Sequence, residues 1–356
     1  LSFPRFILSF HHPHIGDPMT VLLDAPAPAA RGGSGEASHS HDPTTARTQA
    51  AQRLRHDMAA VRVSFRWLGV RKTLTPEQRA QAAETFDAEG AFLSAGKKLL
   101  DSSHPQFRAV TTVRSTTLSY WKGMTLPYPE PGVRLIPRDR IEAFHDVMTQ
   151  HRADLEQAVE ALDAKYAELK QAARSRLGQL FCASDYPESL RPLFGVEWDF
   201  PSVEPPAYLR QVSPELYEQE RQRIAARFDE AVRLAESAFR EEFAALLDHL
   251  AERLSGSDDG KAKVFRNSAI TNLHEFFGRF GALNVHSDAQ LDELVARARR
   301  LVDGTQPQDV RTDDALRKRI ADGLGSLRGS LDELLVDKPR RCILRSRSEC
   351  AHAAAG

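Results

Sequence analysis

Two long charged stretches, 138–181 and 213–254, each carry a repeating apolar stripe, and nothing else in the chain constrains the fold as strongly. In the first, Ile141, Phe144, Met148, His151, Leu155, Ala158, Leu162, Tyr166, Leu169, Ala173 and Leu177 recur at steps of three and four. Residues at those spacings share one side of an α-helix. Asp139 and Glu142 open the stretch and Lys170, Arg174 and Arg176 close it, so both ends complement the helix dipole. The second opens on Ser213-Pro214-Glu215, an N-cap, a proline at the first helical position and an acid in the first turn. Its stripe runs Tyr217, Ile224, Phe228, Ala231, Ala235, Ala238, Phe243, Leu247, Leu250 and Leu254. Asp229–Arg233 and Glu236–Arg240 add i,i+4 ion pairs. Heptad-like seams of this kind predict that the two helices zip together over 137–256 as a long antiparallel coiled-coil hairpin.

Between them, 184–212 forms the expected tip. Leu193, Phe194, Val196, Trp198 and Phe200 alternate with Glu197 and Asp199, a short β pattern, and Pro201, Pro205 and Pro206 follow. A small α/β region is expected over 60–136. Val61, Val63, Phe65 and Trp67 alternate with Arg62, Ser64 and Arg66, as in a half-buried strand. Thr75-Pro76-Glu77 reads as a helix start, and a further helix should run from His104-Pro105 to about Trp121. The proline-rich run 127–132 excludes helix, because each proline lacks a donor and restricts the residue before it. A C-terminal helical unit is expected over 261–337. It has an aromatic face of Phe265, Phe276, Phe277 and Phe280, a capping box at Ser287 and Gln290, and a last helix starting at Thr312. From Asp24 to about Gln52 the chain has few large apolar side chains, and 1–59 should be disordered, as should the basic tail 338–356. Met19 and Met58 lie downstream of Leu1, so 1–18 is expected to be translated upstream sequence. The fold class is therefore mainly α: a hairpin with a β-containing tip, a small N-terminal α/β part and a C-terminal helical unit.

The chemistry is mostly one of near misses. Between Gly90 and Gly96-Lys97 lie five residues where a phosphate loop has four, and Lys98 stands where a Ser or Thr would hold magnesium. The expected structure is a loop with an exposed lysine pair. His274-Glu275 lacks a second His four residues on, since Gly278 is there. Glu142 and His145 form one Glu-x-x-His pair where a di-iron bundle needs two. No Gly-x-Ser-x-Gly elbow occurs. Cys182 should lie at a helix C-terminus, where the dipole disfavours a thiolate, and be structural. With Cys342 and Cys350 it makes an odd, unpaired set, which suits a reducing compartment. No apolar run approaches the ~18 residues of a membrane span. The expectation is a cytoplasmic protein that is not an enzyme and has no cofactor, metal or membrane site.

Two surfaces remain. Phe194, Trp198, Phe200 and Tyr208 sit among prolines at the tip and form either a partner-binding cluster or a small local core. Arg297, Arg299 and Arg300, with Lys338, Arg340 and Arg341, are candidates for nucleic acid. Lys plus Arg number 48 against 49 acids, so the chain as a whole lacks the basic excess of a polyanion binder. The leading expectation is a non-catalytic adaptor, and the alternative is a nucleic-acid-associated protein of a phage or mobile element.

Several short motifs point the same way. They are Val61–Trp67 leading to Leu74-Thr75-Pro76, then Leu93 with Lys97-Lys98-Leu99-Leu100, then Phe194–Phe200 with Pro205-Pro206 and Val212-Ser213-Pro214-Glu215-Leu216. Phe265-Arg266-Asn267-Ser268, Asn272-Leu273, and Phe280 to Leu283-Asn284-Val285 complete the set. In these residues, spread over about 60–334, the chain resembles the bacterial and phage family called domain of unknown function 3150. The resemblance implies a helical protein without assigned activity, encoded near a MoxR-type AAA+ ATPase and a von Willebrand A-domain protein. It carries over no catalytic residue.

Overall fold

A computed structural model of the chain describes residues 43–254, 268–305, 309 and 313–336. The chain is mainly α-helical with two small β-sheets. In order, α1 (Pro43–Asp57) leads directly into β1 (Met58–Arg66), then β2 (Arg71–Thr73), α2 (Pro76–Glu84), β3 (Gly96–Lys98) and α3 (Pro105–Gly123). The hairpin β4 (Leu126–Pro127) and β5 (Val133–Pro137) follows, then α4 (Ile141–Ala164), α5 (Tyr166–Leu177), β6 (Gly195–Asp199), α6 (Leu209–Val212) and α7 (Pro214–Leu254). The described part closes with α8 (Ser268–Leu283), α9 (Ala289–Val302) and α10 (Asp314–Val336).

The main sheet has the order β4-β5-β1-β6 and is antiparallel throughout. The first half of β1 pairs with β5, from Met58 opposite Pro137 to Arg62 opposite Val133. Its second half pairs with β6, from Arg62 opposite Asp199 to Arg66 opposite Gly195. Successive side chains point to opposite faces, and here each face has its own core. Met58 and Ala60, with Val133 and Leu135, pack with α1, α7, α8, α9 and α10. Val61 and Val63, with Ile136 and Val196, pack with α3, α4 and α5. The first half of β1 is thus buried on both faces. Its second half keeps the expected alternation, with Arg62, Ser64 and Arg66 exposed.

Turn chemistry explains the β4–β5 connection. Val133 N–H bonds to the Glu130 carbonyl, with Pro131 next and Gly132 at φ 78°. Proline then a positive-φ glycine defines a type II turn. At the far side of the hairpin, Arg134 donates to the Thr125 hydroxyl (2.6 Å) and carbonyl (2.8 Å), setting a cation just past the C-terminus of α3. Burial brings the Arg134 pKa down to about 10, with Arg279 repelling it as a lesser cause.

The coiled-coil hairpin is not formed. α4 packs against α3, and α7 packs against α1, α8 and α10, so the two long helices serve different cores. The width of the stripe explains this. On α7 the buried positions include adjacent pairs, Ala231 with Val232, Ala235 with Glu236, and Phe243 with Ala244. That is a broad face, suited to two or more neighbours, where a coiled coil needs a narrow seam. The first stretch also breaks. Lys165, at φ −98° and ψ 2°, separates α4 from α5.

Other expectations change as well. Residues 43–57 are helical, not disordered, because Ala50, Ala51 and Leu54 bury against the small side chains of α7. An ion network secures that contact: Arg47 grips both carboxylate oxygens of buried Glu236 (3.3 and 3.2 Å), and Arg240 bridges Glu236 to Asp288. Residues 1–42 and 337–356 lie outside the described residues, and so do Phe265 and Thr312. α8, α9 and α10 share one core with α7 and do not form a separate unit. α9 is capped by Asp288, whose carboxylate accepts from Leu291 N–H at 3.1 Å, one residue later than the Ser287 box anticipates. Thr75 does cap α2, in a reciprocal box with Gln78. Among the described residues no helix is long and apolar enough to cross a membrane.

Candidate protein-interaction surface

The 184–212 segment is not the end of a rod. β6 lies beside β1 as the outer strand of the main sheet, and this separates the four aromatic candidates. Phe194 is buried and unavailable to a partner. It packs edge-on against Trp67 (4.9 Å between ring centres) and Phe107 (6.4 Å), so for this residue the local-core reading holds. Trp198 is half-buried on the α4 side of the sheet. Its indole N–H donates to His145 Nδ1 at 3.2 Å, and the Arg152 guanidinium sits 5.1 Å from its ring centre. Phe200 and Tyr208 are exposed. Sequence reasoning missed Val212 and Leu216, also exposed, the first one turn beyond Tyr208 in α6 and the second in the first turn of α7, after extended Ser213. The i,i+4 spacing of Val212 from Tyr208 was the available signal.

On the opposite face of β6 the charges are ordered by the strand register. Arg62 grips Asp199 with two bonds (3.0 and 2.7 Å), and Arg66 reaches one oxygen of Glu197 (2.9 Å). The hydrogen bonds from Arg62 hold the Asp199 carboxyl below its usual range. Between β6 and α4 runs an open groove of about 590 Å³, floored by Leu155, Val159 and Val196 and edged by both signs of charge, Arg66, Arg152 and Arg191 with Glu156, Glu160 and Glu197.

A second polar cluster ties β2 and β3 to the turn after α5. The Asp185 carboxylate, buried in that turn, pairs with Lys97 Nζ (2.7 Å) and Lys72 Nζ (2.5 Å). Lys97 also donates to the Leu180 carbonyl at 2.7 Å. Hydrogen bonds from Lys72, then Lys97, depress the Asp185 pKa. Lys97 is therefore a buried structural cation, not half of an exposed lysine pair. Cys182 departs from expectation too. It is exposed and precedes the 3-10 turn Ala183–Asp185, well past the end of α5. Its thiol, 3.0 Å from the Ser184 hydroxyl, has a lowered pKa, chiefly through that contact and the Ser184 N–H.

Arg297, Arg299 and Arg300 project from the exposed side of α9, opposite Leu291, Leu294 and Ala298. Lys338, Arg340 and Arg341 lie outside the described residues. Among the described residues no group of three His, Cys, Asp or Glu side chains could hold a metal ion. No family model, curated protein or solved structure matches the chain.

Proposed function

We propose that this chain is a non-catalytic adaptor of the cytoplasm, which works by presenting the surface at and beyond β6 to a protein partner. One observation carries the reading: large apolar side chains stay exposed along a single stretch, Phe200 at 41%, Tyr208 at 65%, Val212 at 76% and Leu216 at 52%. Single exposed hydrophobics are ordinary, but a run of aromatic and aliphatic groups is where partners gain affinity. The resemblance noted above supports a bacterial or phage origin and a MoxR-type AAA+ ATPase or a von Willebrand A-domain protein as that partner.

The test is direct binding of the full chain to a purified MoxR-type AAA+ ATPase, followed by F200A/Y208A. Hot-spot aromatics contribute ~2 kcal/mol or more each, so the double variant should weaken binding by roughly several hundredfold. Its circular dichroism should not change, since both side chains face water. Undiminished binding would sink the reading. The three exposed arginines of α9 favour a second one, association with nucleic acid. Salt-sensitive DNA retention that survives removal of 338–356 and is lost in R297Q/R299Q/R300Q would favour it.

A further inference from the structure

We propose that the free edge of β6 and the groove beside it accept an extended segment of the partner as a fifth strand of the main sheet. That segment carries basic residues alternating with apolar ones. The inference rests on the adaptor reading and names the chemistry of what is bound.

Three observations lead here. β6 pairs with β1 on one side only, and among the described residues no other element bonds to the backbone of 195–199. An unpaired edge presents a row of N–H and C=O groups whose natural complement is another extended backbone. The edge is also approachable, because the groove of about 590 Å³ separates it from α4 instead of being filled by side chains.

Charge selects the occupant. The charged residues of β6 are Glu197 and Asp199, both acidic and two apart, on the face away from α4. Arg62 and Arg66 meet them from β1, and Arg66 reaches on to the Pro192 carbonyl. Arg66 takes Oε1 of Glu197, and among the described residues nothing donates to Oε2. A strand added on the outer side would set its own alternate residues against these two carboxylates. Opposite charges across strands stabilise and like charges do not, so those residues are Lys or Arg. The intervening side chains turn toward α4 and rest over Leu155, Val159 and Val196, so they are apolar.

A second copy of this chain is a poor occupant. Antiparallel self-pairing centred on Glu197 sets Glu197 against Glu197, and pairing centred on Trp198 sets Glu197 against Asp199. Both registers oppose like charges.

Fluorescence anisotropy of the full chain with a labelled peptide of alternating Lys and Val tests this. The peptide should bind at least about tenfold more tightly than one of the same composition with its lysines contiguous, and than an alternating Glu-Val peptide. E197K/D199K should reverse the preference between Lys-Val and Glu-Val. A third arm leaves the protein unaltered. Alternating N-methylation removes the peptide N–H groups of one edge, so of the two possible patterns one should bind and the other should not. Equal binding of the alternating and contiguous peptides, or indifference to both methylation patterns, would reduce the effect to diffuse charge attraction and overturn the proposal. If the peptide arms fail while F200A/Y208A still abolishes partner binding, the strand proposal falls alone. If both fail, the adaptor reading falls with it.

Discussion

Replacing Asp185 with Asn should strand a buried cation. The Asp185 and Lys97 side chains are 3% and 4% exposed, and among the described residues Lys97 has, beyond this carboxylate, only the Leu180 carbonyl. Removing one partner of a deep ion pair costs ~3–5 kcal/mol, because the other charge stays buried without compensation. Here the third member, Lys72, is 55% exposed and lets water approach, which moves the expected cost to about 2–3 kcal/mol. With a urea dependence of ~2–3 kcal/mol per molar, the unfolding midpoint should fall by about 1 M. Tryptophan fluorescence suits the measurement, since Trp67, Trp121 and Trp198 all pack in the core that contains Tyr186. Adding Lys97→Met to D185N should recover most of the loss by removing the stranded charge. Lys72→Met alone should leave the midpoint near wild type. The acid limb follows from the depressed carboxyl: its stabilisation is fully present above the unfolded value of ~3.9 and is lost as pH falls through the lower folded value. D185N should therefore lose stability less steeply below pH ~4 than the wild type. A midpoint shift under ~0.3 M, or no recovery in K97M/D185N, would refute the buried-pair argument.

Three further outcomes follow from the packing. Phe243→Ala should cost ~3–5 kcal/mol in urea unfolding, because the ring is fully buried and stacked on Phe276 at 5.3 Å. Glu236→Ala should cost about 3 kcal/mol and raise hydrogen exchange in α1 first, since Arg47 loses both its bonds and Arg240 loses one carboxylate. An unchanged α1 exchange pattern would show that apolar contact alone holds that helix. Cys182 in a C342S/C350S background should alkylate with iodoacetamide at neutral pH faster than free cysteine does, and C182S should leave stability unchanged.

The elements themselves were legible where one local rule sufficed. The caps at Thr75 and Ser213, the proline turn before β5 and the period of α4 and α7 all follow from spacing within a few residues. What the stripes did not reveal was their partners. A one-dimensional apolar stripe says that a face is buried, not against what. The doubled positions on α7, such as Ala231-Val232, were the visible sign that one neighbouring helix would not cover it. α1 was missed because Ala50 and Ala51 bury little surface alone. They count only once the alanines of α7 allow close approach, and Arg47 meets a carboxylate 189 residues away.

The candidate surface shows the same limit more sharply. Glu197 and Asp199 read as the wet face of a short strand, and they are; that Arg66 and Arg62 are their partners depends on a pairing between segments 131 and 137 residues apart. Once that pairing is in place, the sheet's own registry determines the rest. β1 pairs with β5 along its first half and with β6 along its second, β4 closes one end with two residues, and β6 is left as an edge whose outer charges share one sign. A short, acidic edge next to an open groove resists pairing with its own kind, since the registers centred on Glu197 and on Trp198 both oppose carboxylates. On the proposal above, the same acidity would favour a basic, alternating strand, whose cations would stand opposite Glu197 and Asp199 across the new pair.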